Sequence, residues 1–463
     1  MIKIIKAILL SLIIVLVLYY TGYIIVSKAG VSNFRQFYKE KENIDVLFIG
    51  PSTIYYVISP MYIWDKYGIV TYNRGTQSQT YALSYSLLEE SLKKEKPSLI
   101  VLDISLLAIL EHNKHINNAV MNQISSPLLR NKTRLLYNDN ISALNIFNLY
   151  HDRIFNLSEA DFFTKSFYKG ELEYSICYYD PNLKDMDDSS SIELDKIVVE
   201  YTNKYIELAK KYNADILFTC MPSLSDRQKY YREFSKLAYT LNVPYLNYSD
   251  KSLSNIIGID YKHDFIDPFH INIYGARKIM DHLIPYIIEH YNIPNRKDDP
   301  KYASWNEDYI KYARAVNREE IRARNSFNEW QNLAYYDNYT MLISTNGDNV
   351  LNRLPQTMKD RFKSLGLTKY ETVQGNLKYA AIIDNNQVFF EEVTDNIVSY
   401  NGRMKNIVNL MVSSEPWKAT INVSGKPRAK NRYGINFVIY DKVNREIVDS
   451  IWIDPAQPDV VRR

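Results

Sequence analysis

The chain has 463 residues and a mass of 54.3 kDa, which at about 150 residues per domain suggests two or three domains. Hydrophobic residues make up 46% and charged residues 24%, which excludes wholesale disorder and leaves apolar surface for cores. Lys plus Arg at 56 against Asp plus Glu at 53 gives a net charge of +3. That balance argues against nucleic acid as the main partner, which would ask for a basic excess or stripe. Only two cysteines occur, Cys177 and Cys220, so neither a disulfide framework nor a four-Cys zinc site can be built.

Lys3 and Lys6 precede an uncharged run over residues 7–27, long enough for a helix to span a bilayer, which takes about 20 apolar residues. Tyr19, Tyr20 and Tyr23 near its far end suit an interfacial belt. The run lacks the short apolar core and small-residue cleavage site of a signal peptide. Residues 1–30 are therefore expected to form an uncleaved single-pass anchor. The tail before it is so short that the bulk of the chain is expected outside the cytoplasm.

Residues 46–49, 69–72, 99–102, 216–220 and 243–246 read as short buried strands, separated by helical periodicity over 82–94, 194–212 and 273–290. Strands alternating with helices predict an α/β domain over 40–295, a doubly wound parallel sheet with helices on both faces. Residues 112–191 lack strand signals and read as an insertion in it. The segment 296–335 is rich in charge and poor in apolar residues, and reads as a solvated helical connector. Beyond it, strand-like runs at 340–344, 388–393, 407–412 and 436–440, with one helix over 354–365, predict a β-rich α+β domain over 336–463.

In a doubly wound sheet the ligand site lies beyond the carboxyl ends of the strands. Those ends are followed here by Gly50-Pro51-Ser52-Thr53, by Asn73-Arg74-Gly75-Thr76-Gln77 and by Asp103-Ile104-Ser105. Near the close of the domain stands His263-Asp264-Phe265-Ile266-Asp267-Pro268-Phe269-His270. A serine hydroxyl is a weak nucleophile until an imidazole takes its proton, and the imidazole needs a carboxylate to orient it. Asp267 and His270 share one turn and can both face Ser52. Gly75 offers an unobstructed N–H to an oxyanion beside that of Ser52. Other readings of these residues are a plain turn at Ser52, an Asp-capped helix entry at Asp267, Asp264 as the orienting carboxylate, and a metal cluster of His263, Asp264, Asp267 and His270. The metal reading wants three or four ligands with supporting spacing, and no partner cluster accompanies them; neither metal nor cofactor is expected. His112 and His115 read as surface residues, and Cys177 and Cys220 as small core residues.

The Gly-x-Ser after strand one, the glycine after strand two and the run Asp267-x-x-His270-x-Asn272-x-x-Gly275 resemble the SGNH (GDSL-type) hydrolase superfamily over residues 44–290. The resemblance implies Ser52 as nucleophile, His270 as base, Asp267 as its orienter and Gly75 as oxyanion donor. The family's Gly-x-Asn-Asp block is replaced here by Leu102-Asp103-Ile104-Ser105, which leaves Gln77 or Asn73 as candidates for the third donor. That loss, together with an N-terminal anchor, is similar to the DltD-type and alginate-acetylation (AlgJ/AlgX-type) branch. Those proteins act outside the cytoplasm, on acyl groups of envelope polymers, often beside a membrane-bound O-acyltransferase. The runs 433–440 and 447–454 resemble an ILEI-type (interleukin-like EMT inducer) domain, for which a carbohydrate-binding role is usually proposed. The expectation is a membrane-anchored serine O-acyltransferase or esterase acting on a surface polysaccharide or teichoic-type polymer. Its alternative is a catalytically degenerate, glycan-binding scaffold of an export or acylation complex.

Overall fold

The buried runs pair into one parallel sheet in the first of the chain's two units, Met1–Tyr309 and Ile310–Arg463. The computed structural model describes residues 2–27, 36–77, 79–108, 120, 121, 124, 126–136, 151–156, 168–171, 176, 192–223, 228–372 and 375–463. Strands β1 (Val46–Ile49), β2 (Thr71–Asn73), β3 (Leu99–Asp103), β4 (Asp215–Cys220) and β5 (Tyr245–Asn247) lie in the order β2-β1-β3-β4-β5. Val46 pairs with Thr71 on one side and Leu99 on the other. Among the described residues the helices of this unit include α1 (Ile2–Ser27), α2 (Ser52–Val57), α3 (Pro60–Tyr67), α4 (Tyr81–Lys94), α5 (Pro127–Leu136), α6 (Lys196–Lys211), α7 (Gln228–Thr240), α8 (Lys251–Ile256) and α9 (Ile273–His290).

Alternation along the strands divides the core into two layers. Leu47, Ile49, Ile100, Leu102 and Phe218 pack with Ala82 and Leu88 of α4, Tyr205 of α6 and Phe234 of α7. Val46, Phe48, Leu99, Val101 and Leu217 face the other way, onto Ile54 and Val57 of α2, Ile63 of α3 and Ile279, Met280 and Leu283 of α9. Both faces are thus covered, which is why these strands read as unbroken apolar runs.

Helix α1 has 26 residues, and its apolar side chains from Ile4 to Leu18 are exposed. Among the described residues no helix is long and apolar enough to cross a membrane. The transmembrane segment expected over residues 1–30 is therefore not supported among the described residues. Tyr19 and Tyr23, expected in an interfacial belt, have side chains outside the described residues, as do His112, His115 and Cys177 of the expected insertion. Cys220 is buried at the end of β4.

The second unit contains α10 (Ala303–Ala323, which begins in the first unit), α11 (Phe327–Ala334), β6 (Tyr339–Asn346), α12 (Gln356–Ser364), β7 (Lys378–Asp384), β8 (Gln387–Thr394), β9 (Val398–Met404), β10 (Ile407–Glu415), β11 (Lys418–Val423), β12 (Lys426–Pro427), β13 (Gly434–Asp441) and β14 (Glu446–Ile453). They form two sheets, β14-β13-β6-β7-β8 and β12-β11-β10-β9, whose described pairings are antiparallel. On β6, Met341 and Ile343 face a helical layer with Trp330 and Phe362, whereas Leu342 faces Leu410, Val412 and Ile421 of the other sheet. The segment 296–335 is helical but is not a solvated connector. Tyr302 and Trp305 are buried beside Trp64 in the first unit, and Ile321, Phe327 and Trp330 belong to the core of the second. Charge averaged over the segment conceals these apolar positions, because a helix presents one face inward and another to water.

Arg314 of α10 is 4% exposed. Its Nε lies 2.9 Å from both carboxylate oxygens of buried Asp441, and its Nη1 donates to Asp337 O at 2.8 Å. Removing one partner of such a pair strands a buried charge, at about 3–5 kcal/mol. Asp441→Ala is expected to lower the stability of this unit by that amount in urea titration. A loss below about 1 kcal/mol would show that Arg314 finds another partner or reaches water.

Candidate active site

Strand β1 ends at Ile49, and Gly50-Pro51 turns the chain into α2 with Ser52 as its first residue. The turn is tight. A methyl group at Gly50 would come within 2.7 Å of both Asp103 Cβ, at the end of β3, and Ile54 Cγ1. β1 lies between β2 and β3, so the chain leaves β1 where the strand order reverses, and a crevice opens beyond the strand ends. Ser52 sits half-buried at that crevice.

The other groups arrive from the loop before α9. Phe265 and Ile271 form a bridge, and Ile266 N donates to His270 O at 3.0 Å, closing a short loop. Inside it, Asp267 Oδ1 accepts the N–H groups of Phe269 (2.7 Å) and His270 (2.9 Å). Asn272 then caps α9 through Tyr274 N and Gly275 N. His270 Nδ1 lies 2.9 and 2.8 Å from the two carboxylate oxygens of Asp267, and its Nε2 lies 2.8 Å from Ser52 Oγ. A carboxylate only accepts, so Nδ1 carries the proton and Nε2 is left to accept from the serine hydroxyl. The His270 side chain is 19% exposed, open enough for a substrate to reach. Tyr56, one turn after Ser52, lays its ring 4.5 Å from the imidazole centroid at a tilt of 35°. Burial and the nearby Asp267 raise the hydroxyl pKa of Tyr56.

The remaining residues near this crevice are spoken for. Asp264, the competing carboxylate, is buried and bonded to Lys278 Nζ and Asp260 N, both at 2.7 Å. His263 pairs with Asp260 at 2.7 Å. The four residues of the metal reading therefore fall into separate pairings. Gly75 is not a free donor, because its N–H donates to Asn73 Oδ1 at 2.8 Å. Nor is Asn73, whose Nδ2 donates to Ile54 O (3.0 Å) and Ile58 O (2.9 Å). A methyl group at Gly75 would meet Ile54 Cγ2 at 2.9 Å, so the glycine serves close packing against α2. Gln77 is exposed. Among the proposed donors this leaves the Gln77 side chain and the Ser52 N–H, the latter at the first position of a helix, where the helix itself supplies no acceptor.

Sequence reasoning gave no role to Asp103. It is fully buried, and its Oδ2 accepts from Thr53 Oγ1 at 2.9 Å and Met221 N at 3.3 Å, its Oδ1 from Ser105 N at 2.8 Å. Burial raises its pKa, and the bonds from Ser105 and Thr53 pull it back down. The carboxylate ties the start of α2 to the end of β3.

No family model matches the chain, and no curated protein matches it. Solved structures similar to it include a Bacteroides fragilis protein described as a "putative acylhydrolase", at 13% identity and a TM-score of 0.31, covering 56% of this chain and 97% of that one. A GDSL-like lipase from Bacteroides thetaiotaomicron is similar at 13% identity and a TM-score of 0.28, covering 53% of this chain and 87% of that one.

Asp103→Asn must turn an NH₂ group toward the N–H of Ser105 or Met221, leaving buried donors unpaired at about 1–3 kcal/mol. It is expected to lower the melting temperature and the turnover of an activated ester together, and Thr53→Val to do so less. Unchanged melting of Asp103→Asn would show that the carboxylate does not hold α2.

Proposed function

We propose that the chain is an SGNH-like serine esterase or O-acyltransferase. The observation that carries this reading is the hydrogen-bonded line from Ser52 through His270 to Asp267. Ser52 Oγ attacks an acyl carbonyl while His270 Nε2 takes the hydroxyl proton, and Asp267 holds the imidazole in the tautomer that can accept it. The Ser52 N–H supports the oxyanion of the tetrahedral intermediate. As that intermediate collapses, the proton passes from His270 to the departing alkoxide, leaving an acyl-serine. Water or a sugar hydroxyl then resolves the acyl-serine by the same steps in reverse. Tyr56 covers one face of the imidazole throughout.

The substrate we infer is an O-acyl, in particular O-acetyl, group on a surface polysaccharide or teichoic-type polymer, handled outside the cytoplasm beside a membrane-bound O-acyltransferase. The exposed apolar side chains of α1 support a single-pass anchor, and the resemblance to DltD-type and ILEI-type proteins supports a glycan partner. The second reading, a degenerate scaffold, is favoured by one observation: the Gly75 and Asn73 donors are already engaged within the fold.

Ser52→Ala and His270→Ala should each fold normally and lose about 10³-fold or more in hydrolysis of p-nitrophenyl acetate, because nucleophile and base act as a unit. Asp267→Asn should lose somewhat less. A fluorophosphonate probe should label the wild type and not Ser52→Ala. Labelling that survives that substitution, or an intact acyl-transfer phenotype, would promote the scaffold. The anchor is tested separately: protease added to intact cells or spheroplasts should degrade everything after about residue 30, and protection of both units would overturn the extracytoplasmic assignment.

A further inference from the structure

The second unit carries a surface that the proposed chemistry does not use. β12 is an edge of its sheet, pairing with β11 through Asn422–Pro427 and Val423–Lys426. The chain stays beside β11 afterwards. Arg428 N donates to Ile421 O at 2.8 Å, and Ala419 N donates to Asn431 Oδ1 at 2.9 Å. An extended segment sends alternate side chains to opposite sides. Pro427, Ala429 and Asn431 fall on the side that lines a groove of about 360 Å³ against β11, and Ala429 packs against the core between the sheets.

The other set is Lys426, Arg428 and Lys430, followed past the left-handed Asn431 (φ 53°) by Arg432. All four are exposed, and among the described residues none has a carboxylate partner. Lys418, on the groove wall, reaches only Glu415, at 3.8 Å. Same-side residues of an extended segment recur about every 6.6 Å, so Lys426, Arg428 and Lys430 form a short ladder, with Arg432 past the turn at Asn431. In a chain whose net charge is only +3, four unpaired cations within seven residues are a local concentration. Such like charges repel one another until an anionic partner neutralises them.

We propose that this edge-strand ladder binds a phosphodiester-linked polymer of the teichoic type, its cations meeting successive phosphates. Arg presents a planar fork to phosphate oxygens and Lys a compact charge. A flexible chain with one charge per repeat can slip into register with such a ladder, whereas a small anion would meet only one or two rungs. The inference deepens the envelope-polymer reading above and rests on it, with the second unit holding the polymer whose ester Ser52 works on.

The test uses the full chain in detergent, titrated with purified poly(glycerol phosphate) at 50 and 200 mM salt. The logarithm of affinity should fall against that of salt with a slope of roughly −2 to −3, four contacts at about −0.7 each. Replacing Lys426, Arg428, Lys430 and Arg432 together by Gln should weaken binding at the lower salt about 10-fold or more and flatten that slope. Lys363→Gln and Lys405→Gln, at exposed positions elsewhere in the unit, should change it less than about twofold. Equal binding by the fourfold variant would overturn the proposal. So would tighter binding to single-stranded DNA of matched charge or to a polyuronate, or binding to phosphatidylglycerol vesicles that the fourfold variant abolishes. The two proposals fail separately. Lost polymer binding with intact Ser52-dependent hydrolysis would overturn the ladder alone, and Ser52→Ala that keeps full hydrolysis while the ladder still binds would overturn the enzyme alone.

Discussion

The docking of α9 against α2 brings residue 270 within reach of residue 52. Ile54 and Val57 from one helix and Ile279, Met280 and Leu283 from the other are almost wholly buried in a shared layer, under Val46, Phe48 and Val101 of the sheet. Burial of such side chains is worth about 1.5–3 kcal/mol each, against about 1 kcal/mol for a typical hydrogen bond. Apolar packing therefore sets the distance between the two helices, and the contact from serine to imidazole registers a geometry already fixed. The Ser59 N–H, at the cap of α3, donates to Met280 Sδ at 3.3 Å and ties the turn after α2 to α9.

A helix of six residues is too short to persist alone, and α2 is held at both ends. Asn73 donates to the carbonyl of Ile54 within the helix and to that of Ile58 just past its end, and Asp103 takes the Thr53 hydroxyl near the start. Residues that look like oxyanion donors in the sequence are thus the fixtures of the helix that presents Ser52. A group that merely holds Ser52 still affects rate, because small misplacements of reacting atoms are costly.

The parallel sheet and the meeting of Ser52, Asp267 and His270 were legible because both follow from pattern: apolar runs spaced by helices, and polar residues at strand ends. What stayed hidden was the use of hydrogen bonds. Sequence shows that Asn73 and Gly75 carry N–H groups but not that those groups are already donated within the fold, and Asp103 gives no sign of lying behind Thr53. The buried residues between 302 and 330 were obscured by the charges around them. In the second unit, β9 reads Val-Ser-Tyr-Asn-Gly-Arg-Met and is mostly exposed or half-buried, so its apolar signal is faint, whereas fully buried β6 and β13 stood out.

Ser52 and His270 are 218 residues apart, and this separation has a consequence in time. At roughly 5–20 residues per second of synthesis, on the order of ten to forty seconds pass between the appearance of the serine and that of the imidazole. Through that interval neither His270 nor Asp267 exists to bond the Ser52 hydroxyl. Its contact with His270 forms only when α9 closes onto the sheet, and non-local parallel pairings are slow to form. The line from Ser52 through His270 to Asp267 is therefore absent from the nascent chain and is completed only with the fold.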